Sequence, residues 1–519
     1  MVDSRYVLAI DMGTGTVKAA LVSDGGEIAG SAMRAISTTQ LPGGGVEQDP
    51  NEWWTVSVAA AREALAASSV PAERVAAIKC ATQWAVTVPV DERGDALSPA
   101  ISWMDTRGGP HVRRLIDGPV KVAGYDVRKL RRWLRLSGGA PVPAGLDGLG
   151  HVLHLKYDRP EVYSAARALL EPMDYLNLRL TGRVAATAGT MFTYWVVDNR
   201  DPARSGYDDG LLRLAGIDGD KLPELIAPDA VVGTLTAESA SQLGLPLETQ
   251  VLAGACDLHS ATIGAGSVDD GDAYFYVGTS SWMSCHLSER RRDLRHLLTT
   301  MPASLPGRYV VVAEQGTAGR CLEFLKDNIL YPDGQAPPDV YERLAAAAAE
   351  VPPGSDGLIF TPWINGVFVP KEDHVTRSAF FNQTSRTTRG HYARAVMEGV
   401  AYNMRWLRGH LEKFVGRPFE RLSFIGGGAQ SDLWCQIHAD ILGVPVRQVE
   451  NPRYANAVGT ALSAFVALGE LRPDEVPALV RTTAVFEPEP AAQRVHDAHY
   501  AEFMRFYRRA RPIYKRLNG

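Results

Sequence analysis

Small, hydroxyl-bearing and ionisable residues gather in two short stretches at spacings that suit phosphate chemistry. In "VLAIDMGTGTVKAALV" (7–22), Asp11 precedes the turn Gly13-Thr14-Gly15-Thr16, and Lys18 follows two residues later. In "DAYFYVGTSSWMSCHL" (272–287), an apolar strand runs into Gly278-Thr279-Ser280 and a second alternating strand leaves it. Glycine turns expose backbone N–H groups, and together with threonine hydroxyls these can hold phosphate oxygens without a P-loop lysine. Two such hairpins facing each other across a cleft could hold a β- and a γ-phosphate between them, which makes ATP the natural ligand. Phosphoryl transfer would then need a metal to bridge phosphate oxygens, a cation for developing charge and a base near the acceptor hydroxyl. Asp11, at the end of its strand, is placed for Mg2+, directly or through water, because Mg2+ keeps several waters. Lys18 could point at phosphate or simply face solvent from its hairpin. Asp257, in "AGACDLHSATIGAG", lies between a small-residue strand and a small-residue helix start, where it could serve as the base or as an N-cap. His259, two residues on, is an alternative base that reads better as a structural histidine.

Particular elements must carry these residues. A dinucleotide fingerprint requires a third glycine and a helix starting directly behind it. Here Lys18 follows Val17, and Thr16 to Val22 suit a strand that ends at the hairpin signal Asp24-Gly25-Gly26, so the nicotinamide-dehydrogenase reading fails. Pro50 to Ala67 carries helical periodicity behind an Asp49 cap, with Trp53, Val56, Ala60 and Leu65 on or near one face. "VAAIKCATQW" reads as a buried strand ending in a site-like loop, and "EPMDYLNLRLTG" as a helix stopped by Gly182. Near Gln250 the plan begins again. "LSFIGGGAQSDLWCQIHADILG" is a strand, a turn of Gly426-Gly427-Gly428 and an amphipathic helix, suited to close approach of a nucleotide to the backbone. "YERLAAAAAE" reads as a surface helix. In "VRKLRRWLRLSGGAPVPAG", Arg128, Lys129, Arg131, Arg132 and Arg135 crowd around Leu130, Trp133 and Leu134. A solvated helix face with an apolar underside is the plain reading, and contact with an anion or a partner subunit, as in a homodimer, is the alternative.

With 519 residues the chain is long enough for about two to four domains and a cleft between them. Hydrophobic residues make up 45% and charged residues 22%, which fits a globular enzyme and excludes a disordered or fibrous chain. A net charge of −5, from 54 basic and 59 acidic residues, is too balanced for a nucleic-acid protein. The five cysteines are scattered without CxxC spacing, so they read as buried thiols in a reducing cytosol. No basic-then-apolar leader opens the chain and no apolar run approaches the ~20 residues that span a bilayer; the expected location is cytoplasmic.

The motifs "DMGTGTVKAAL", "PMDYLNLRLTG", "CDLHSATIGAG", "YVGTSSW", "ARAVMEGVAYNMRWL" and "GGGAQSDLWCQIHADILG", in that order, resemble those of the FGGY carbohydrate kinases, most closely the xylulokinase-type members. The resemblance extends over nearly the whole chain. It implies an α/β architecture of two actin-like ATPase (ribonuclease H-like) domains flanking a central catalytic cleft, which closes on the substrate. The expected division is residues 1–252, with the sugar site and first phosphate hairpin, and residues 253–519, with the second hairpin and the adenosine site. It further implies Asp257 as base, Asp11 as the metal-associated aspartate, and phosphate contacts from Gly13 to Thr16 and at Gly278 and Thr279. Further nucleotide contacts would fall on Gly319, Gly427, Gly428 and Ala429. The implied reaction is ATP- and Mg2+-dependent phosphorylation of a small sugar or polyol.

The sugar end departs from the family pattern. Xylulokinases carry Met-His and glycerol kinases Arg-Glu after the glutamine that ends the substrate strand, whereas this chain has Gln83-Trp84-Ala85. The base is often followed by Asn or Gln, and here by Leu258. Trp84 could stack on a sugar or fill space as a core tryptophan. "SWMDTRG" keeps a family-like W-x-D-x-R pattern in which Trp103 and Asp105 could meet substrate, although Asp105 could equally pair with Arg107. An unpartnered hydroxyl costs about 1–3 kcal/mol, so two such changes shift substrate preference. D-xylulose is the first expectation, with another ketose or a linear tetritol or pentitol as competitors. A non-catalytic sugar or nucleotide sensor of the same fold is the remaining alternative.

Overall fold

The computed structural model describes residues 4–518 and contains two large sheets built to one plan. The first comprises β1 (Tyr6–Met12), β2 (Thr16–Ser23), β3 (Ile28–Ala35), β4 (Val75–Thr82), β5 (Val231–Thr234), β6 (Gln250–Leu252) and β7 (Ala255–Cys256). The second comprises β8 (Ala273–Val277), β9 (Ser281–Leu287), β10 (Arg292–Asp293), β11 (Leu298–Pro302), β12 (Tyr309–Gln315), β13 (Leu422–Ile425), β14 (Val446–Val449) and β15 (Thr482–Phe486). In both, a leading strand pairs antiparallel with its hairpin partner on one side and parallel with a later strand on the other: β1 with β2 and β4, β8 with β9 and β13. This is the duplicated actin-like ATPase arrangement, and both glycine turns are strand-turn-strand hairpins at equivalent places within it. The division expected at 252/253 falls between β6 and β7, and β7 still pairs with β4 of the first sheet.

Both faces of β1 are covered, so its residues are apolar on both sides rather than alternating. Leu8, Ile10 and Met12 join Trp53, Ala60 and Ala64 of the helix Pro50–Ala67, whose Asp49 cap accepts from Asn51 N. Val7 and Ala9 face Ala457, Ala461 and Phe465 of the helix Ala455–Ala467. That second helix comes from the far end of the chain. It also crosses the helix Asp257–Gly264 so closely that a Cβ on Gly264 would lie 1.8 Å from the Ala455 carbonyl, and one on Gly459 2.0 Å from the Ser260 carbonyl. Only glycine permits that backbone-to-backbone contact.

Between β4 and β5 the chain makes a separate lobe whose core includes Trp133, Leu149, Val152, Tyr194 and Leu211. The basic stretch forms its helix Val127–Leu136, capped by Asp126, with Trp133 and Leu136 buried and Arg128, Arg131 and Arg135 exposed. Leu258, Met301 and Val310 of the second half join the same core. The helices expected at "EPMDYLNLRLTG", "YERLAAAAAE" and after the third glycine cluster are Pro172–Thr181, Val340–Ala349 and Asp432–Leu442, the first ending on Gly182 at φ 74°. No described helix is long and apolar enough to cross a membrane.

The glycine crossing sets a stability contrast. Gly459→Ala is expected to lower unfolding stability by about 1–3 kcal/mol through overpacking. Gly409→Ala, at a helical site with open space around it, should raise stability by up to about 1 kcal/mol. Thermal denaturation of the two variants checks both signs.

Candidate active site

Two carboxylates flank the end of one strand. Asp11 on β1 and Ala255 on β7 both stand opposite Ala81 of β4, and Asp257 follows two residues after Ala255. Adjacent strands lie about 4.8 Å apart, so this register sets Asp11 and Ala255 roughly 10 Å apart, with Asp257 two residues beyond at the same edge of the sheet. Asp257 is the first residue of its helix, with Cys256 in the N-cap position. Its Oδ1 accepts from Leu258 N at 2.7 Å, and its Oδ2 has no hydrogen bond among the described residues. Burial, reinforced by the nearby charges of Asp11 and Glu314, pushes its pKa up to about 7, against the opposing pull of the Leu258 N–H and of Lys18. Asp257 is therefore a carboxylate poised near neutrality beside an open lone pair.

Asp11 is 1% exposed and takes an ion pair from Lys18, Nζ to Oδ2 at 2.9 Å. The two residues stand directly opposite each other on the hairpin. Lys18 thus neither faces solvent nor reaches outward; it is turned onto Asp11. Burial works against its charge, but the Asp11 carboxylate wins and holds its pKa above the ordinary lysine value. His259 is buried, lies 3.4 Å from Cys256 Sγ through Nδ1, and is pushed down to about 3 by burial, so it is a neutral packing residue.

Each hairpin turn is closed by a backbone bond from its first glycine, over three residues in the first and two in the second. Gly13 N donates to Thr16 O at 2.9 Å, and Gly278 N to Ser280 O at 2.9 Å. Around Gly15 the space is open. The helix Gly319–Phe324 begins on the second turn, where Gly319 N donates to Gly278 O at 2.8 Å and a Cβ on Gly319 would fall 2.5 Å from that oxygen. In the third cluster Gly426 adopts φ 92°, and a Cβ on Gly427 would meet nothing within 4 Å, which leaves its backbone open to a ligand. Gly428 packs against Val277. Ala429, implied as a nucleotide contact, is instead fully buried with its carbonyl bonded to Gln448 Nε2 at 2.7 Å.

On the acceptor side, Gln83 continues β4 and is 2% exposed; its Nε2 donates to Gln48 Oε1 at 2.5 Å while its own Oε1 is buried without a protein donor. Gln48 Nε2 in turn donates to the Thr14 carbonyl at 2.7 Å, and Trp103 Nε1 donates to Thr14 Oγ1 at 3.0 Å. The apex of the first hairpin is thereby tied to the acceptor side. Trp84 is fixed by its Nε1 bond to Thr190 O at 2.8 Å, with Phe192 beside it and Leu258 in the adjoining core. Ala85 sits at φ 57°, a strained value for a residue with a side chain, and the next N–H, of Val86, is held by Glu171 Oε2 at 3.0 Å. Asp105, read as a candidate for substrate hydroxyls, is fully buried and serves the protein: Val46 N and Arg107 N donate to it, and the Arg107 guanidinium bridges it to Glu47. Sequence reasoning missed Gln48, Glu171 and Glu314. For Gln48 the one available signal was a polar side chain in a hairpin strand immediately before a helix cap.

Known proteins resemble the chain over most of its length. The profile of the FGGY family of carbohydrate kinases, N-terminal domain, matches residues 6–264, and that of the C-terminal domain matches residues 273–468. The chain is 28% identical over 495 residues to a xylulose kinase of Bacillus subtilis (strain 168), covering 93% of each protein. It is 30% identical over 514 residues to a glycerol kinase of Thermus brockianus, covering 98% of this chain and 99% of that protein. The crystal structure of a xylulose kinase from Rhodospirillum rubrum superposes with a TM-score of 0.82 at 27% identity, over 98% of this chain and 100% of that one.

The Asp105 bridge makes a testable distinction. Asp105→Ala is expected to destabilise the protein by about 1–3 kcal/mol, because it removes the buried acceptor of Val46 N and leaves the half-buried Arg107 guanidinium with Glu47 alone. A fall in melting temperature of that scale, preceding any change in sugar KM, is the expected readout.

Proposed function

The chain belongs to the FGGY family of carbohydrate kinases, and from that premise we propose that it transfers the γ-phosphate of ATP to a terminal hydroxyl of a small ketose, D-xylulose first, with Asp257 as general base. The observation that carries the base assignment is the environment of Asp257: a carboxyl near pKa 7 with a free oxygen, across one strand from Asp11. The acceptor oxygen attacks the γ-phosphorus and forms the new P–O bond. The bond to the β,γ-bridging oxygen breaks, its electron pair leaving with ADP, and the hydroxyl proton passes to Asp257. Gly13 to Thr16 on one side and Gly278 and Thr279 on the other would position the phosphates, and Gly319 and Gly427 the nucleotide beyond them.

The donor set fits Mg2+ carried in with the nucleotide. Among the described residues no group of three His, Cys, Asp or Glu could hold a metal alone, but Mg2+ bound largely by phosphates and water needs only one or two carboxylates, and Asp11 is one. When bound, the ion would supply neutralisation of phosphate charge.

Ketose preference is supported by the xylulose kinase relative, while the glycerol kinase relative at 30% identity favours a second reading, a linear polyol acceptor. Trp84 and Leu258, with apolar surface where polar contacts were expected, bear on that choice, and the unpartnered Oε1 of Gln83 offers an acceptor for one substrate hydroxyl.

A coupled ADP-release screen over ketoses, aldoses and linear polyols is expected to give its best kcat/KM with D-xylulose; a polyol as best substrate selects the second reading, and sugar binding without turnover would mark a sensor. Asp257→Ala should lower kcat by about 10²–10⁴ with nucleotide affinity retained, and full turnover in that variant refutes the base assignment. Since the base must be ionised, kcat/KM is expected to climb about tenfold per pH unit up to about pH 7 and then level off.

A further inference from the structure

The second hairpin presents a side chain that the chemistry above does not use. Tyr276 lies on β8, opposite Trp282 on β9 and Ile425 on β13. Its ring stacks on Trp282, with centroids 3.9 Å apart and planes 13° from parallel. Two glycines make its room: a Cβ on Gly278 would fall 2.1 Å from Tyr276 Oη, and one on Gly426 2.8 Å from its Cε2. The phenol is therefore wedged between the phosphate turn and the third glycine cluster, with its hydroxyl at the phosphate turn.

Trp282 is itself held. Its Nε1 donates to Tyr274 Oη at 2.9 Å, and Tyr274 Oη donates to the Leu258 carbonyl at 3.3 Å, in the first turn of the helix that Asp257 begins. The charged groups facing the Tyr276 phenol are Lys18, Asp11, Asp257 and Arg453, which come from both halves of the cleft. Its hydroxyl makes no hydrogen bond to another described residue, on a ring that is half-buried. A donor that is pinned by a stack and two glycine approaches, yet unbonded, is preorganised for an acceptor that arrives with substrate.

We propose, resting on the kinase reading above, that Tyr276 is a further catalytic residue whose Oη–H donates a hydrogen bond to a non-bridging oxygen of the phosphoryl group during transfer. Its hydroxyl lies against Gly278, in the turn that the kinase reading gives to phosphate, and phosphate is therefore its acceptor. Gly278 and Gly426 leave the volume that the ring occupies.

Tyr276→Phe keeps the ring, its stack and its wedge and removes only the donor. The expected result is an approximately 10- to 100-fold fall in kcat, with sugar KM changed less than about twofold and an unaltered melting temperature. A parallel measurement needs no sugar: the affinity of wild type and variant for ADP alone and for ADP with aluminium fluoride, which imitates the phosphoryl group in flight. The variant should bind ADP as wild type does and lose at least about tenfold in affinity for the fluoride complex. Equal losses for both ligands, or none for either, overturn the role of Tyr276 whatever the sugar proves to be. Wild-type protein that releases no ADP with any sugar or polyol overturns the kinase reading instead.

Discussion

Two carboxylates and one ammonium group set the terms for the whole cleft. Asp11 and Asp257 reach the same edge because β4 is flanked by β1 on one side and β7 on the other, and desolvated like charges at that range resist ionising together. Lys18 resolves the conflict by pairing with Asp11. Asp257 has no such partner, and its pKa is raised first by burial and then by the neighbouring Asp11. Two side chains of the same type thus differ in their surroundings: one is held in an ion pair, and the other keeps a free oxygen and a pKa of about 7.

The scaffold keeps these charges in register by bringing backbone against backbone. Helix Asp257–Gly264, which begins with Asp257, crosses helix Ala455–Ala467 at Gly264 and Gly459, and Ser260 meets Thr460 by a hydroxyl hydrogen bond at 2.9 Å. A similarly tight approach joins Gly319 to the second phosphate turn. Such contacts leave little slack between the two helices.

Local signals are legible in the order of the residues. The glycine-threonine turns flanked by β-branched strands, the Asp49 cap and the Gly182 stop depend on neighbours within a few residues, and each element forms where those residues lie. What stays hidden depends on distant partners. Whether Asp257 caps a helix or stands free, and whether Lys18 faces solvent or Asp11, is decided by the pairing of strands far apart in the chain. Gln48 acts through Gln83, and Glu171 through Val86, 35 and 85 residues away. Tyr276 reads as one more apolar strand residue because its meaning lies in the empty volume beside two glycines. The first sheet runs past the expected division because β7, two residues long, is too short to announce itself.

The helix Ala455–Ala467 has a consequence for how the chain is made. It supplies one entire wall of the first sheet, against Val7, Ala9, Ala20, Val22, Ala77 and Leu252, and the ion pairs Arg5–Glu470 and Glu27–Arg481 fasten the same seam. During synthesis those apolar strands emerge hundreds of residues before their cover exists. The amino-terminal half therefore leaves the ribosome with that face of its sheet uncovered until the late helix arrives.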